Sequence, residues 1–167
     1  LIAERVRAKH GTDPRADAVG WARLRDAAER AKKRLSEDAT AGVAIVDLPL
    51  GGARLAQVEE TLTREEAERA WSPLLDRIRA PIQRALRDAS VRPEQIDEVL
   101  LVGGSTRMPC VSRLAAQMFG KLPLRKLPPD EAVAMGAAVQ AALKTGDAAV
   151  EDLVATDVSP FTLGIET

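Results

Sequence analysis

Three short stretches of this 167-residue chain carry side chains that could act together on a ligand. The first is "VGGSTRMP", residues 102–109. Two glycines after an apolar run let backbone amides approach an anion without interference from a Cβ. A helix opening at Pro109 would turn its free N–H groups and positive dipole end toward the same point. Ser105 and Thr106 add hydroxyls, and Arg107 adds a flat cation able to stack on a base. The stretch is not G-x-G-x-x-G and lacks the G-K-[ST] of a phosphate loop, so alone it reads first as a plain tight turn. The second is "ERAKKRLS", residues 29–36. Glu29, Lys32, Lys33 and Ser36 fall at i, i+3, i+4 and i+7, one stripe of a helix. A carboxylate there can bind ribose hydroxyls while the lysines and serine flank a base or reach phosphate. The plainer alternative is an i,i+4 ion pair between Glu29 and Lys33 on a solvated face. The third is "PPDEAVAMGAAVQ", residues 128–140. Asp130 stands at a helix start, where capping is the simplest role. Gly136 among alanines points to a backbone packed close to another element.

Those residues need elements to hold them. "LIAERVRAKHG" reads as the end of a helix closed by Gly11, and "TDPRAD" as a turn. Residues 17–36 are predicted to be helical, with Trp21, Leu24, Ala28, Ala31 and Leu35 forming a separate apolar stripe. "GVAIVDL" (42–48) and the more polar 54–61, joined by "PLGGA", predict a hairpin. "TREE" (63–66) is a capping box: Thr63 accepts from the Glu66 amide and Glu66 reaches back. The helix it opens should run toward Ala89, with Pro73 and Pro81 as kinks or breaks. Beyond "VRPEQID", "EVLLV" (98–102) predicts a buried strand. A helix from Pro109 to near Gly120, a short strand in "LPLRKL" and an alanine-rich helix closed by Gly146 should follow. This alternation predicts an α/β layer. Residues 147–157 read as linker, and "DVSPFTLGIET" as the start of another strand.

Composition narrows the field. Hydrophobic content of 46% and charged content of 29% are those of a folded domain. A net charge of −1 gives no broad field toward nucleic acid or anionic membrane. One cysteine, Cys110, excludes an internal disulfide or a cysteine-rich metal site, and one histidine, His10, argues against a Ser–His triad or a His-based zinc site. Aromatics make up 2% of the chain, too few for a stacking platform on single-stranded nucleic acid. No run of eighteen apolar residues is present, and no signal peptide is visible. The chain opens at Leu1, in what reads as mid-helix, so a fragment is expected, and any targeting signal would precede it. Cytoplasm is the default location.

"VLLVGGSTRMP", "PDEAVAMGAAVQAA" and "DVSPFTLGIET", in this order, with "RLRDAAERAKKRLS" upstream, resemble the DnaK-type seventy-kilodalton heat-shock chaperones. The resemblance covers essentially the whole chain. It implies an α/β fold that is part of an actin-like ATPase, namely most of its second lobe. The sheet would be mixed and incomplete, with an exposed edge that invites self-association. Residues 1–97 would be the helix-plus-hairpin peripheral subdomain and 98–146 the end of the inner subdomain. Residues 147–167 would be the interdomain linker and the first strand of the peptide-binding domain.

Position by position, the resemblance implies an adenosine site. Glu29 and Lys32 match ribose-side residues, and Ser36 matches a hydroxyl near the adenine. Gly103, Gly104 and Ser105 match the turn under the nucleoside, with Thr106 beside them. Arg107 matches the arginine over one face of the base, and Asp130 an acidic residue on the pocket floor. Lys33 stands where some members have an arginine on the opposite face, and an ammonium cannot stack as a plane. The implied ligand is ATP or ADP, with Mg2+ held in the intact parent by residues outside this stretch. The phosphate loops and catalytic lysine also lie outside it, so the chain alone is expected not to hydrolyse ATP. Implied partners are a nucleotide-exchange factor on the peripheral subdomain, and a J-domain co-chaperone and client peptides in the parent. Neither nucleic acid nor membrane is implied. In "DLVATDV" (152–158), Ala155 and Thr156 interrupt the apolar run usual in the family's linker, which implies weaker docking or a specialised paralogue. The rival readings are another actin-fold ATPase, such as a sugar kinase or filament protein, and a pure interaction module for an exchange factor.

Overall fold

The computed structural model describes residues 1–124 and 127–154. Helix α1 (Ile2–His10) ends where Gly11 turns left-handed at φ 69°, as the glycine in "AKHG" predicts. Asp17 caps helix α2 (Ala18–Arg34) by accepting from the Gly20 amide at 2.8 Å. Strands β1 (Thr40–Pro49) and β2 (Leu55–Thr63) form the predicted antiparallel hairpin. Helix α3 (Arg64–Asp88) opens on the predicted capping box. Its Thr63 hydroxyl accepts from the Glu66 amide at 3.1 Å, and Glu66 accepts from the Thr63 amide at 3.0 Å. Helices α4 (Pro109–Phe119) and α5 (Ala132–Thr145) complete the longer elements of the described residues, each closed by a left-handed glycine.

The main core lies within residues 2–67. Leu24, Ala27, Ala31 and Leu35 of the α2 segment meet Ile2, Ala3 and Val6 of α1 and the inward side chains of the hairpin. Trp21 and Ala28, placed on the apolar stripe by spacing, are only partly buried against this core, and Ala27 is buried in their stead. In β1 the buried positions run Ala41, Val43, Ile45 and then Leu48, one step out of phase. The pairing shows why: Ile45 faces Val58 while Leu48 faces Ala56, so a β-bulge inserts one extra residue. The bulge returns Leu48 to the core face, where it is 0% exposed, and places Asp47 at φ 52°. Arg23 of α2 holds the bulge from outside, donating to the carbonyls of Val46 and Asp47, both at 2.8 Å.

Several expectations are corrected. Pro73 and Pro81 do not break α3, which is helical from Arg64 to Asp88. Both prolines and the residues four positions before them, Arg69 and Arg77, are exposed. Water can therefore serve the carbonyls that lose a donor. Residues 98–102 do not form a strand of a sheet. Among the described residues they pair only through one parallel bridge, Leu100 to Leu124. Val99 is buried while Leu100 and Val102 are about half exposed, because a parallel strand needs neighbours and this segment has one contact. Of the short strand expected in "LPLRKL", only Leu124 pairs, and Arg125 and Lys126 lie outside the described residues. Gly136 is not closely packed: a Cβ there would meet nothing within 4 Å, and α5 buries no residue. The linker beyond Val154 and the strand expected in "DVSPFTLGIET" also lie outside the described residues.

Two glycines therefore behave oppositely. A Cβ on Gly20 would lie 2.0 Å from the Pro49 carbonyl oxygen, so α2 could not keep its seat on β1. Gly20→Ala should cost about 1–3 kcal/mol, as overpacking does. Gly136→Ala should add about 0.4–1 kcal/mol. Urea titrations of the two variants check both signs. The Glu66 carboxyl is held below the ordinary range by the Thr63 amide first and by Arg5 in addition. Folding favours its ionised form, so its contribution is complete above the ordinary glutamate pKa and is lost as pH falls through the lowered folded value. Glu66→Gln should thus lower the melting temperature near neutral pH and converge with the parent chain in strong acid.

Candidate functional site

The polar stripe of α2 lies on the side of the helix away from its core stripe. Glu29 accepts from Lys32 at 2.6 Å, and Lys33 stands 3.9 Å from the other Glu29 oxygen. The plainer reading of this stretch, an ion pair on a helix face, is therefore present. The turn after α2 carries Ser36 and is fixed from outside. Arg64, the first residue of α3, donates to the carbonyls of Leu35 at 2.8 Å and Asp38 at 2.9 Å. These contacts satisfy carbonyls that a helix C-terminus leaves free.

The facing wall is the glycine turn. Gly103 adopts φ 96°, ψ 154°, a conformation that excludes most side chains. Residues Gly104–Arg107 then form a 3-10 turn. Both the amide and the hydroxyl of Thr106 donate to the Gly103 carbonyl, at 3.0 and 2.7 Å, so this hydroxyl is occupied in shaping the turn. Pro109 starts α4. Cys110, Leu114 and Ala115 bury its back, and Arg113 is ion-paired with Glu68 of α3.

The floor comes from residues 127–130. The Gly103 amide donates to the Pro129 carbonyl at 2.9 Å and so joins turn to floor. Asp130 does not cap α5. Glu131 occupies the N-cap position without a side-chain bond, while Asp130 Oδ2 accepts from Arg107 Nε at 3.0 Å and also from Nη2. This pairing raises the Arg107 pKa further above its ordinary value, by hydrogen bonding first and charge attraction second.

These three parts enclose one cavity of about 1080 Å³. Glu29, Lys32, Lys33, Ser36, Gly104, Ser105, Thr106, Arg107 and Asp130 all line it, although they come from stretches up to a hundred residues apart in sequence. Gly103 sits behind them, at the hinge of the turn. Spacing alone had not assigned Glu37 or the α4 face of Pro109, Ser112, Arg113 and Ala116, which also line the cavity. That face was legible, because the four fall at i, i+3, i+4 and i+7. Leu101, Leu122, Leu124 and Leu127 give the cavity an apolar side. Both charge signs occur and are largely paired, so the cavity offers no bare field to a polyanion. It suits a ligand with a flat apolar face and several hydroxyls. The lining has hydroxyls but no histidine or cysteine to activate one, and among the described residues no cluster of His, Cys, Asp or Glu could hold a metal ion.

Comparison with known proteins bears on the whole chain. The family model described as "Hsp70 protein" matches residues 1–167. The chain belongs to the Hsp70 family. It is 44% identical over 168 residues to the chaperone protein DnaK of Thermus thermophilus, covering 99% of this chain and 27% of that protein. It is 42% identical to the DnaK of Thermosipho melanesiensis, covering 99% of this chain and 28% of that protein. The stromal 70 kDa heat shock-related protein, chloroplastic, of Spinacia oleracea is 42% identical, over 99% of this chain and 27% of that protein. The Hsp70 chain thus spans about a quarter of the length of these relatives. Membership implies the actin-like ATPase fold, and the described residues are mixed α/β, with an antiparallel hairpin and packed helices.

Cys110 reports on the α4 wall. It is 5% exposed, and burial first, with Glu68 nearby, pushes its thiol pKa up. Thiolate is the reactive form. Iodoacetamide near neutral pH should label the native chain slowly and the urea-unfolded chain at the rate of a free thiol. Fast native labelling would show that α4 is not seated as described.

Proposed function

We propose that this chain is the adenosine-binding part of the ATPase region of an Hsp70-type chaperone. In the parent protein, ATP turnover would be coupled to peptide binding and folding. One observation carries the reading. Nine of the ten residues assigned to the nucleotide site line a single cavity, with an arginine plane, hydroxyls and an apolar side. A base could lie against Arg107 and the leucines, with its ribose toward Glu29 and Lys32. Residues 1–97 would then be the peripheral subdomain, 98–146 the end of the inner one and 147–167 the linker and the following strand. An exchange factor would grip the peripheral subdomain, and a J-domain co-chaperone and client peptides would act on other parts of the parent. The Hsp70 match favours this reading over a sugar kinase or filament protein. A cytoplasmic location accompanies the proposal. Among the described residues no helix is long and apolar enough to cross a membrane, and one relative is chloroplastic, so cell fractionation decides.

Charge-assisted phosphate contacts are the strong ones in a nucleotide site, and on this reading the phosphate loops belong to other parts of the parent. This chain should therefore bind ATP, ADP and adenosine weakly and nearly alike. Calorimetry giving tight, magnesium-dependent ATP binding would overturn that division of the site. A stacked cation contributes on the order of 0.5–2 kcal/mol. In the full-length parent, Arg107→Ala should weaken nucleotide binding several-fold with the fold intact. Arg107→Lys should behave nearly like alanine if the guanidinium plane is what matters. Unchanged affinity in the alanine variant would remove Arg107 from the site.

A further inference from the structure

Arg107 carries most of the base recognition proposed above, yet it is a long, half-exposed side chain with many rotamers. Its placement has a visible cause. The guanidinium is held at one edge: Nε and Nη2 both donate to Oδ2 of Asp130. An edge-on grip occupies neither face of the plane, and the faces are what a base stacks on. Both side chains remain about half exposed, 56% for Arg107 and 50% for Asp130, so the pair is open to the cavity. The carboxylate is itself placed by backbone. The Gly103 amide is bonded to the Pro129 carbonyl, one residue from Asp130 and four from Arg107. Gly104 lies beside the other Asp130 oxygen, which would stand 3.4 Å from a Cβ placed there, an ordinary contact distance.

We infer that Asp130 serves the adenosine site by positioning Arg107 through this edge-on ion pair, without itself touching the ligand. This rests on the adenosine reading. It differs from a direct polar contact between Asp130 and the nucleoside, and it differs from a capping role, which the structure assigns to no side chain at α5. Glu37 also faces Arg107 closely enough to act on its charge. It lies in the turn after α2, lines the same cavity and makes no hydrogen bond to the guanidinium.

A double-mutant cycle tests the inference, read by NMR titration of the 167-residue chain with adenosine and with ADP. Asp130→Asn keeps the shape of the side chain and removes its charge. It should weaken both ligands by the same factor, about threefold or more, since the loss is a stacking loss at the base end. In the Arg107→Ala background the same change should do nothing. Asp130→Glu, which keeps the carboxylate, should recover most of the affinity when Arg107 is present. Melting temperatures within about a degree of the parent chain are expected for all variants, because exposed pairs contribute little to folding. Equal weakening by Asp130→Asn with and without Arg107 would mean direct ligand contact and overturn the inference while leaving the adenosine reading intact. No weakening in either background would overturn it as well. Failure of the parent chain to bind adenosine or ADP at all would overturn the adenosine reading, and the inference with it.

Discussion

The seat of α2 on the hairpin is the constraint on which the rest depends. One stripe of this helix, Leu24, Ala27, Ala31 and Leu35, is the centre of the main core. Its other stripe supplies Glu29, Lys32 and Lys33 to the cavity. A rotation of the helix by one residue would move both by about 100°, exposing the leucines and burying the charges. Fully burying one such leucine is worth about 1.5–3 kcal/mol, so the core sets the helix rotation and the cavity wall follows from it. The close approach of Gly20 to Pro49 fixes the remaining freedom, the height of the helix over β1.

Arginine holds the irregular places in this structure. Arg23 occupies the carbonyls of the bulge, Arg64 those of the turn after α2, and Arg5 the Thr61 carbonyl at 3.0 Å together with Glu66 at 2.6 Å. The chemistry explains the choice. A bulge and a helix end leave carbonyls without partners, and a guanidinium can serve two from one planar fork. Arg107 does the same with a carboxylate. The bonds made by Arg23 and Arg107 are exposed to water, so their desolvation cost stays low.

The cavity is built unlike the core beside it. Its walls come from three separate stretches, and few contacts bridge them beyond the Gly103–Pro129 bond and the Arg107–Asp130 pair. Such a place has little packing to lose when a ligand enters, and it draws its order from turns rather than from buried area. The uncovered length of α5, whose Val133, Met135 and Val139 are 70, 47 and 41% exposed, follows from the same economy of contacts.

What the sequence determined alone is what closes within a few residues. The capping box at Thr63, the glycine stops at 11, 120 and 146, Pro109 at a helix start and the hairpin all depend on short-range bonds and on a period of two or 3.6. The motif order was enough to indicate the Hsp70 family. Tertiary structure alone decided the rest. Which of Ala27 and Ala28 is buried depends on the hairpin's position, and the bulge exists because Leu48 must regain the core face. The chain is helical through two prolines because their orphaned carbonyls reach water. Residues 98–102, a strand by pattern, pair at one point because a strand is defined by its neighbours. The partnership of Arg107 with Asp130 could not be read from either residue's surroundings, since they stand twenty-three positions apart with helix α4 between them, and only the fold brings them together.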